Sequence, residues 1–446
     1  MIRWDTRSYL KKVERVPVFP STRNQFKILF MGTLYRIEDL INIAGRFSIK
    51  KAATALKRCG GCAFWAVIFL FQIAVVTAAD PPRQIQVPNA LSPGLVHLLN
   101  LADPNHQETF QADKIDKLLA YMEESKDPGA IYVTEPALGT PSGYYEFDIR
   151  QNFEHLLKYT FNPEIPSYLM TPSCTRLSHW EQIHHPDKRL PAWWDTLHQL
   201  DEPRTVRGIE FVENTPDMVS GAYYGYHLYR TLILFKTNQR SVIISVSKQT
   251  DRSDVGKKGY VLGSDDNWDY FYSGKPGLTI PGLGWVRSYM YDSYGISIYY
   301  ELDAAAPLLR CGIFRWVRAG WSGINAVKKQ HIHDGIKRFA KSFKAIMEYP
   351  DLPGIDQFSD IYSKITALSE KELRDRINIY LSILENRYGS DYRPSRALSP
   401  LVFQDKGPWL QMGAEAMQSV LMLEYLKAVM EKTGPNRDEA FLELKK

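Results

Sequence analysis

The sequence lacks most features that would assign a chemistry directly. It contains no internal repeat and no low-complexity tract, which argues against repeat architectures. No cysteine directly follows the apolar run that ends at residue 79, which argues against a lipoprotein. No stretch after that residue is apolar for the ~20 positions that a membrane-spanning helix needs. No motif identifies a reaction, so the sequence indicates a compartment, a fold class and several alternative functions.

The apolar run covers residues 63–79 and has basic residues before it and Asp80 after it. This layout is typical of a secretory signal. The run is shorter than the ~20 residues of a spanning helix, which favours cleavage near Ala79, but a retained anchor stays open. Met31 is an alternative start to Met1. We therefore expect a leader over residues 1–79. We expect the protein to be periplasmic or secreted, or else anchored to the membrane by residues 63–79.

Charge is divided unevenly along the chain. Residues 1–63 carry 13 of the 55 basic residues but only four of the 50 acidic ones. The remainder is therefore mildly acidic, although the whole chain has a net charge of +5. A mildly acidic protein does not favour a nucleic-acid surface, so we predict no nucleic-acid partner. Contact with a membrane is expected only through the N-terminal apolar segment, if it is uncleaved.

Three segments follow the leader. Residues 80–204 read mostly as helices, and residues 350–446 contain the C-terminal helices. Between them, residues 205–349 contain short runs rich in Tyr, Val, Ile and Phe that are separated by polar turns, which predicts about six or seven antiparallel strands. The predicted strands are Gly208–Glu213, Ala222–Lys236, Ser241–Gln249, Gly259–Leu262, Trp268–Tyr272, Trp285–Tyr291 and Ile296–Leu302.

A long amphipathic helix is predicted after these strands, from Val317 to Ile346, with a bend or break near residues 333–335. Strands followed by one long helix predict an α+β fold in which the helix grips an antiparallel sheet. Over about residues 205–348 this order resembles the architecture of helix-grip, START-like domains, without a shared motif. The resemblance implies a lipid-type ligand between sheet and helix.

Local signals predict several chain reversals and one helix start. Asn238 and Gln239 are expected to join two long strands as a hairpin. A second turn is expected at residues 292–295, where Gly295 suits a positive φ. Ser369 and Glu372 form the pattern of a capping box at the start of a helix.

Aromatic residues make up 13% of the chain and supply the candidate ligand-binding residues. They either line a cavity or fill a dry core, and both interpretations remain open. Arg252 lies in a polar loop between strands and is a candidate to meet an anionic head group. The aromatic wall candidates are Tyr224, Tyr226, Trp285, Tyr289, Tyr299, Trp316 and Trp321.

Two further groups of residues suggest other chemistry. His331, His333 and Asp334 are a candidate metal site, but residues two apart do not share a helix face, so the site needs a break in the helix. Cys174 and Cys311 either form a disulfide in an oxidising compartment or remain buried free thiols.

Three functions follow from these features, and whether the protein is an enzyme stays open. The first is an exported protein that binds an amphipathic or apolar small molecule, such as a lipid, between sheet and helix. The second is a metal-assisted hydrolase that uses the cluster of His331, His333 and Asp334. The third is a non-enzymatic envelope scaffold or interaction protein. No organic cofactor is predicted.

Overall fold

A computed structural model of the chain describes residues 84–106, 108–124, 131–133, 140–280, 284–303, 306–388 and 412–432. The predicted leader, its apolar run and the alternative start at Met31 lie outside these residues. All described residues belong to one compact unit. Within those ranges, no helix is both long and apolar enough to cross a bilayer.

The largest element of the described residues is a ten-stranded sheet in the order β1-β2-β3-β14-β13-β8-β7-β5-β4, with β15 beside the end of β14. Neighbouring strands are antiparallel except β1 and β2, which are parallel. Its strands are β1 Gln84–Gln86, β2 Ile131–Val133, β3 Ser142–Ile149, β4 Thr175–His184, β5 Arg204–Asn214, β7 Gly225–Thr237, β8 Arg240–Gln249, β13 Tyr289–Asp303, β14 Leu308–Trp321 and β15 Ile324–Asn325.

Two small sheets and seven α-helices complete the described part of the fold. One small sheet contains β6 Ala222–Tyr223, β9 Lys257–Val261 and β10 Tyr270–Pro276, and the other contains β11 Leu278–Ile280 and β12 Gly284–Val286. The α-helices are α1 Ser92–Leu101, α2 Asp116–Glu124, α3 Phe153–Thr160, α4 Lys329–Met347, α5 Ile355–Thr366, α6 Glu370–Tyr388 and α7 Ala414–Val429. Short 3₁₀ helices span Asn89–Leu91, Ala112–Ile115, Ser167–Met170, Trp193–Gln199 and Asp265–Asn267.

Side chains on the two faces of the large sheet enter different hydrophobic cores. Successive residues of a strand point to opposite faces, so Ile244 and Val246 of β8 pack on the side of α1 and α2. Ile243 of the same strand enters the larger core, which also contains α4 and the C-terminal helices. Both faces of the central strands are therefore covered, which explains why β8 does not alternate cleanly between apolar and polar residues.

Helix α4 packs along β3. Ile332, Ile336 and Phe343 recur at three- and four-residue steps or their sums and are buried. The ring of Phe343 meets that of Phe147 edge to face, with centroids 6.5 Å apart. Gly143 of β3 lies beneath the start of the helix, where an added Cβ would come within 3.0 Å of the Ile332 side chain. These contacts hold the helix at one side of the sheet.

The structure confirms the mixed α+β class, the antiparallel sheet and several local predictions. Asn238 and Gln239 have φ values of 48° and 63°, as a two-residue hairpin turn requires, between paired Thr237 and Arg240. The backbone N–H of Ser369 donates to the Glu372 carboxylate at 2.8 Å, as in a capping box. Strands β3 and β4 lie within residues 80–204, which the sequence predicts to be mostly helical, and they belong to the main sheet.

The predicted helix start and the predicted turn before it are both wrong. Val317 lies in β14, and the helix begins only at Lys329, after which it continues through residues 333–335 without a break. Gly295 lies inside β13, paired with Arg315 on one side and Ser247 on the other. The apolar residues of this segment fit helical spacing. The segment is nevertheless a strand, β14, because it pairs with β13 on one side and with β3 on the other.

Candidate functional site

A cavity of about 1560 Å³ lies between the large sheet and α4. This volume exceeds the ~300–1,000 Å³ of pockets for drug-sized molecules. The sheet supplies one wall through β5, β7, β8, β13 and β14, and α4 supplies the facing wall. Most of the wall area is apolar. The apolar wall residues include Ile165, Val212, Leu228, Leu232, Ile313, Val317, Ile336 and Phe339.

A charged pair stands on the sheet wall of the cavity. Arg230 of β7 forms an ion pair with Glu210 of β5, its neighbour in the sheet. It also donates through Nη1 to Ser245 Oγ at 2.7 Å. The Glu210 side chain is only 7% exposed, so its charge requires this partner. Strand alternation brings the three residues to one face, because Arg230 lies diagonally across from Glu210 on one neighbouring strand and from Ser245 on the other.

A second arginine, Arg315 of β14, lies on the same wall. Its side chain crosses β13 above Gly295, where an added Cβ would overlap Nη1 of the guanidinium. The same hypothetical Cβ would lie 3.0 Å from Ser247 Oγ. Burial lowers the pKa of Arg315, and the neighbouring Arg230 lowers it further. The guanidinium nevertheless remains charged at neutral pH, since arginine is not deprotonated in proteins.

Hydroxyl groups surround the two arginines. Ser245, Ser247 and Ser297 line the wall from β8 and β13. Tyr226 and Tyr299 also line it, and desolvation raises the pKa of Tyr226 to about 12 and that of Tyr299 as well. Both phenols are therefore protonated at neutral pH and can donate hydrogen bonds. The wall thus contains a polar cluster inside an otherwise apolar cavity.

Arg338 joins helix α4 to the 3₁₀ turn at Asp265 and to the loop at Pro216. Its guanidinium donates to both carboxylate oxygens of Asp265, at 2.7 and 2.6 Å, and to the carbonyl oxygen of Pro216 at 3.0 Å. Burial lowers the pKa of Arg338, but nearby Tyr270 and Asp265 raise it overall. A bidentate arginine–carboxylate pair is geometrically specific, so this contact sets how the loops around Pro216 and Asp265 meet the helix.

The cavity opens to solvent at the loop of residues 215–221. Met218 and Val219 line the cavity and are 58% and 68% exposed, so they form part of its rim. Exposed Asp334 of α4 and Ala326 also line it. Large apolar side chains left in solvent at a rim are available to touch an entering ligand.

Of the eight predicted ligand-binding residues, the seven aromatic wall candidates and Arg252, four line the cavity and four do not. Tyr224, Tyr226, Tyr299 and Trp321 line it. Trp316 points to the opposite face of β14, where it stacks on Phe314 at 6.2 Å in the second core, because it is adjacent to a cavity-facing residue. The remaining three lie elsewhere: Trp285 is 54% exposed, and Arg252 stacks over the Tyr289 ring at 4.2 Å outside the cavity wall.

The predicted metal cluster does not form. His331 and Asp334 line the cavity rim, whereas His333 is buried on another side of α4, close to Gly143. The unbroken helix separates the two imidazoles, because residues two apart lie on different faces. Within the described ranges, no group of three His, Cys, Asp or Glu residues could hold a metal ion.

The alternative of a disulfide between Cys174 and Cys311 is not realised. Both are free thiols, and burial raises the pKa of each. Cys311 lies in β14 between Phe147 and Tyr299, and it enters the apolar core. Cys174 instead faces α4, with its sulfur 3.8 Å from the Gly335 carbonyl oxygen. Their side chains therefore serve different packing contacts.

The sequence interpretation missed the polar cluster of the cavity wall. Arg230 and Arg315 each stand inside a run of apolar and aromatic residues, which is a signal for a charged group on a covered strand face. Arg315 lies two residues before the segment that the apolar spacing predicts as helix, so no local pattern assigns it to a strand face. The sequence also gives no signal that Glu210 is buried, because its burial depends on the pairing of β5 with β7.

Comparisons with known proteins add little to this geometry. No family model matches the chain, and no curated protein matches it. Among solved structures, it is similar to the human StarD13 (DLC2) lipid transfer and protein localization domain. The identity is 11% and the TM-score 0.27, over 54% of this chain and 96% of that domain. A similarity of this extent carries no conclusion about the ligand.

Proposed function

We propose that the protein binds an amphipathic or apolar small molecule, such as a lipid, in the cavity between the sheet and α4. The observation that carries this proposal is the cavity itself, with a volume of about 1560 Å³ and predominantly apolar walls. Concave, mostly apolar sites with a few convergent polar groups are the usual form of small-molecule sites. In this proposal the sheet and α4 act as a helix-grip, with the helix covering the bound molecule.

The test is uptake of Nile red, a neutral fluorescent probe, by protein purified after expression of the full chain. We expect saturable binding with a blue-shifted emission, because the probe leaves water for an apolar cavity. Organic extraction of the purified protein followed by mass spectrometry should also release a stoichiometric apolar or amphipathic compound.

Two variants of adjacent residues make the test specific to the cavity. Val317 lines the cavity, and Val317→Trp should fill space that the probe needs and weaken Nile red binding at least tenfold. Arg318 is not among the lining residues, and Arg318→Trp should leave binding unchanged. Equal binding by both variants, or no binding by the unaltered protein, would contradict the proposal and favour an envelope scaffold or interaction protein without a ligand.

We further propose that the protein acts outside the cytoplasm, as the signal-like segment 63–79 suggests. Cell fractionation and determination of the mature N-terminus would test this. An N-terminus near Asp80 in the periplasmic or secreted fraction is the expected outcome, and an intact chain in the membrane fraction would instead support the retained anchor.

A further inference from the structure

Arg315 has an unusual position for a charged residue. It lies in the middle of β14, with strands paired on both sides, and its half-buried side chain faces the cavity. The absence of a side chain at Gly295 makes room for its guanidinium, which extends toward Ser247. The guanidinium is therefore held against the wall rather than directed toward bulk solvent.

Arg315 has no carboxylate partner. Within the part of the chain that the structure describes, its side chain makes neither an ion pair nor a hydrogen bond. Glu210, the carboxylate of this polar cluster, is already paired with Arg230. Arg230 is itself a cation, and its charge lowers the pKa of Arg315. The cluster of two arginines and one glutamate therefore carries a net positive charge on the cavity wall. A half-buried charge that has no partner and lies beside a second cation favours the approach of a counter-charge, so an anion is expected here.

The groups around Arg315 suit an oxyanion. Its guanidinium presents parallel N–H donors that match a carboxylate or a phosphate. Ser247, Tyr226 and Tyr299 add hydroxyl groups on the same wall. Apolar side chains, among them Val317, border this cluster along the cavity. The arrangement combines a positive polar end with a long apolar remainder.

We propose that the ligand of this cavity carries an anionic oxygen group, a carboxylate or a phosphate, which pairs with Arg315 while its apolar part occupies the rest of the cavity. This inference rests on the proposed function and specifies the chemical class of the ligand. The anion supplies the negative counter-charge that Arg315 lacks. The absence of a side chain at Gly295 leaves room for the guanidinium that binds it.

The test compares ligands that differ only in the head group, by displacement of Nile red from protein purified after delipidation. Oleate and oleyl phosphate carry the anion, whereas methyl oleate has the same chain without it. Charge-assisted hydrogen bonds predict roughly 10- to 100-fold tighter binding of the two anions than of the ester. In Arg315→Met this ratio should fall to near one, while Arg318→Met, on the other face of the same strand, should keep it.

The outcomes separate this inference from the proposed function. If the protein takes up Nile red and methyl oleate as tightly as oleate, the inference is refuted and the proposed function stands. If it takes up none of these molecules, both are refuted. Competition by inorganic phosphate, abolished in Arg315→Met, would support the oxyanion site and identify a soluble anion rather than a lipid head group as its source. A ratio that survives in Arg315→Met would refute the role of Arg315.

Discussion

The two arginines of the cavity wall should respond to the same substitution with opposite changes in stability. Arg230 neutralises Glu210, whose side chain is only 7% exposed, whereas Arg315 has no carboxylate partner among the described residues. Methionine keeps most of the aliphatic stem of arginine but removes the charge. The comparison therefore isolates the electrostatic contribution of each guanidinium.

The expected magnitudes follow from the pairing of each residue. Arg230→Met leaves the buried Glu210 carboxylate unpaired, which costs about 3–5 kcal/mol of unfolding free energy. Arg315→Met relieves an uncompensated charge and its repulsion from Arg230, so we expect a gain of about 1 kcal/mol in the ligand-free protein. The double substitution Glu210→Gln with Arg230→Met should recover much of the first loss, because no unpaired charge remains.

Urea unfolding monitored by tryptophan fluorescence, with thermal unfolding as a second probe, measures both effects after delipidation. For a domain of this size about 1 kcal/mol shifts Tm by roughly 1–2 °C, which is measurable. A loss of stability in Arg315→Met comparable to that in Arg230→Met would refute the reasoning, since it would mean that Arg315 is satisfied within the protein. Added oleate should reverse the order by stabilising the unaltered protein more than the Arg315→Met variant, which binds it less tightly.

Two further substitutions test the geometry. Gly295→Ala should displace the Arg315 guanidinium and abolish the preference for oleate over methyl oleate. The Tm should change little, because the end of the Arg315 side chain can move. An unchanged preference would contradict the position assigned to Arg315. Lys427→Met removes the fully buried ammonium that bonds Asp269 at 2.5 Å and Glu424 at 2.6 Å. It should lower the free energy of urea unfolding by about 3–5 kcal/mol, because two buried carboxylates lose this partner. A loss below about 1 kcal/mol would show that other groups compensate these carboxylates.

Local sequence signals determined the features that depend on a few neighbouring residues. The hairpin at Asn238 and Gln239, the capping box at Ser369 and the amphipathic pattern of α4 after Lys329 all follow from local turn geometry, hydrogen bonding or helical spacing. The aromatic, β-branched runs between residues 205 and 302 likewise indicated strands, since such side chains fit a covered pleated surface.

Tertiary structure alone decided the order of the strands and which of their residues face the cavity. Val317 fits a helical pattern by spacing, and only pairing with β13 and β3 places its segment in the sheet. The roles of Gly295 and Arg315 follow from that pairing, because it aligns residues 20 positions apart on one strand pair. A cavity, and a charge without a partner inside it, arise from contacts between distant segments, and no local pattern in the chain records them.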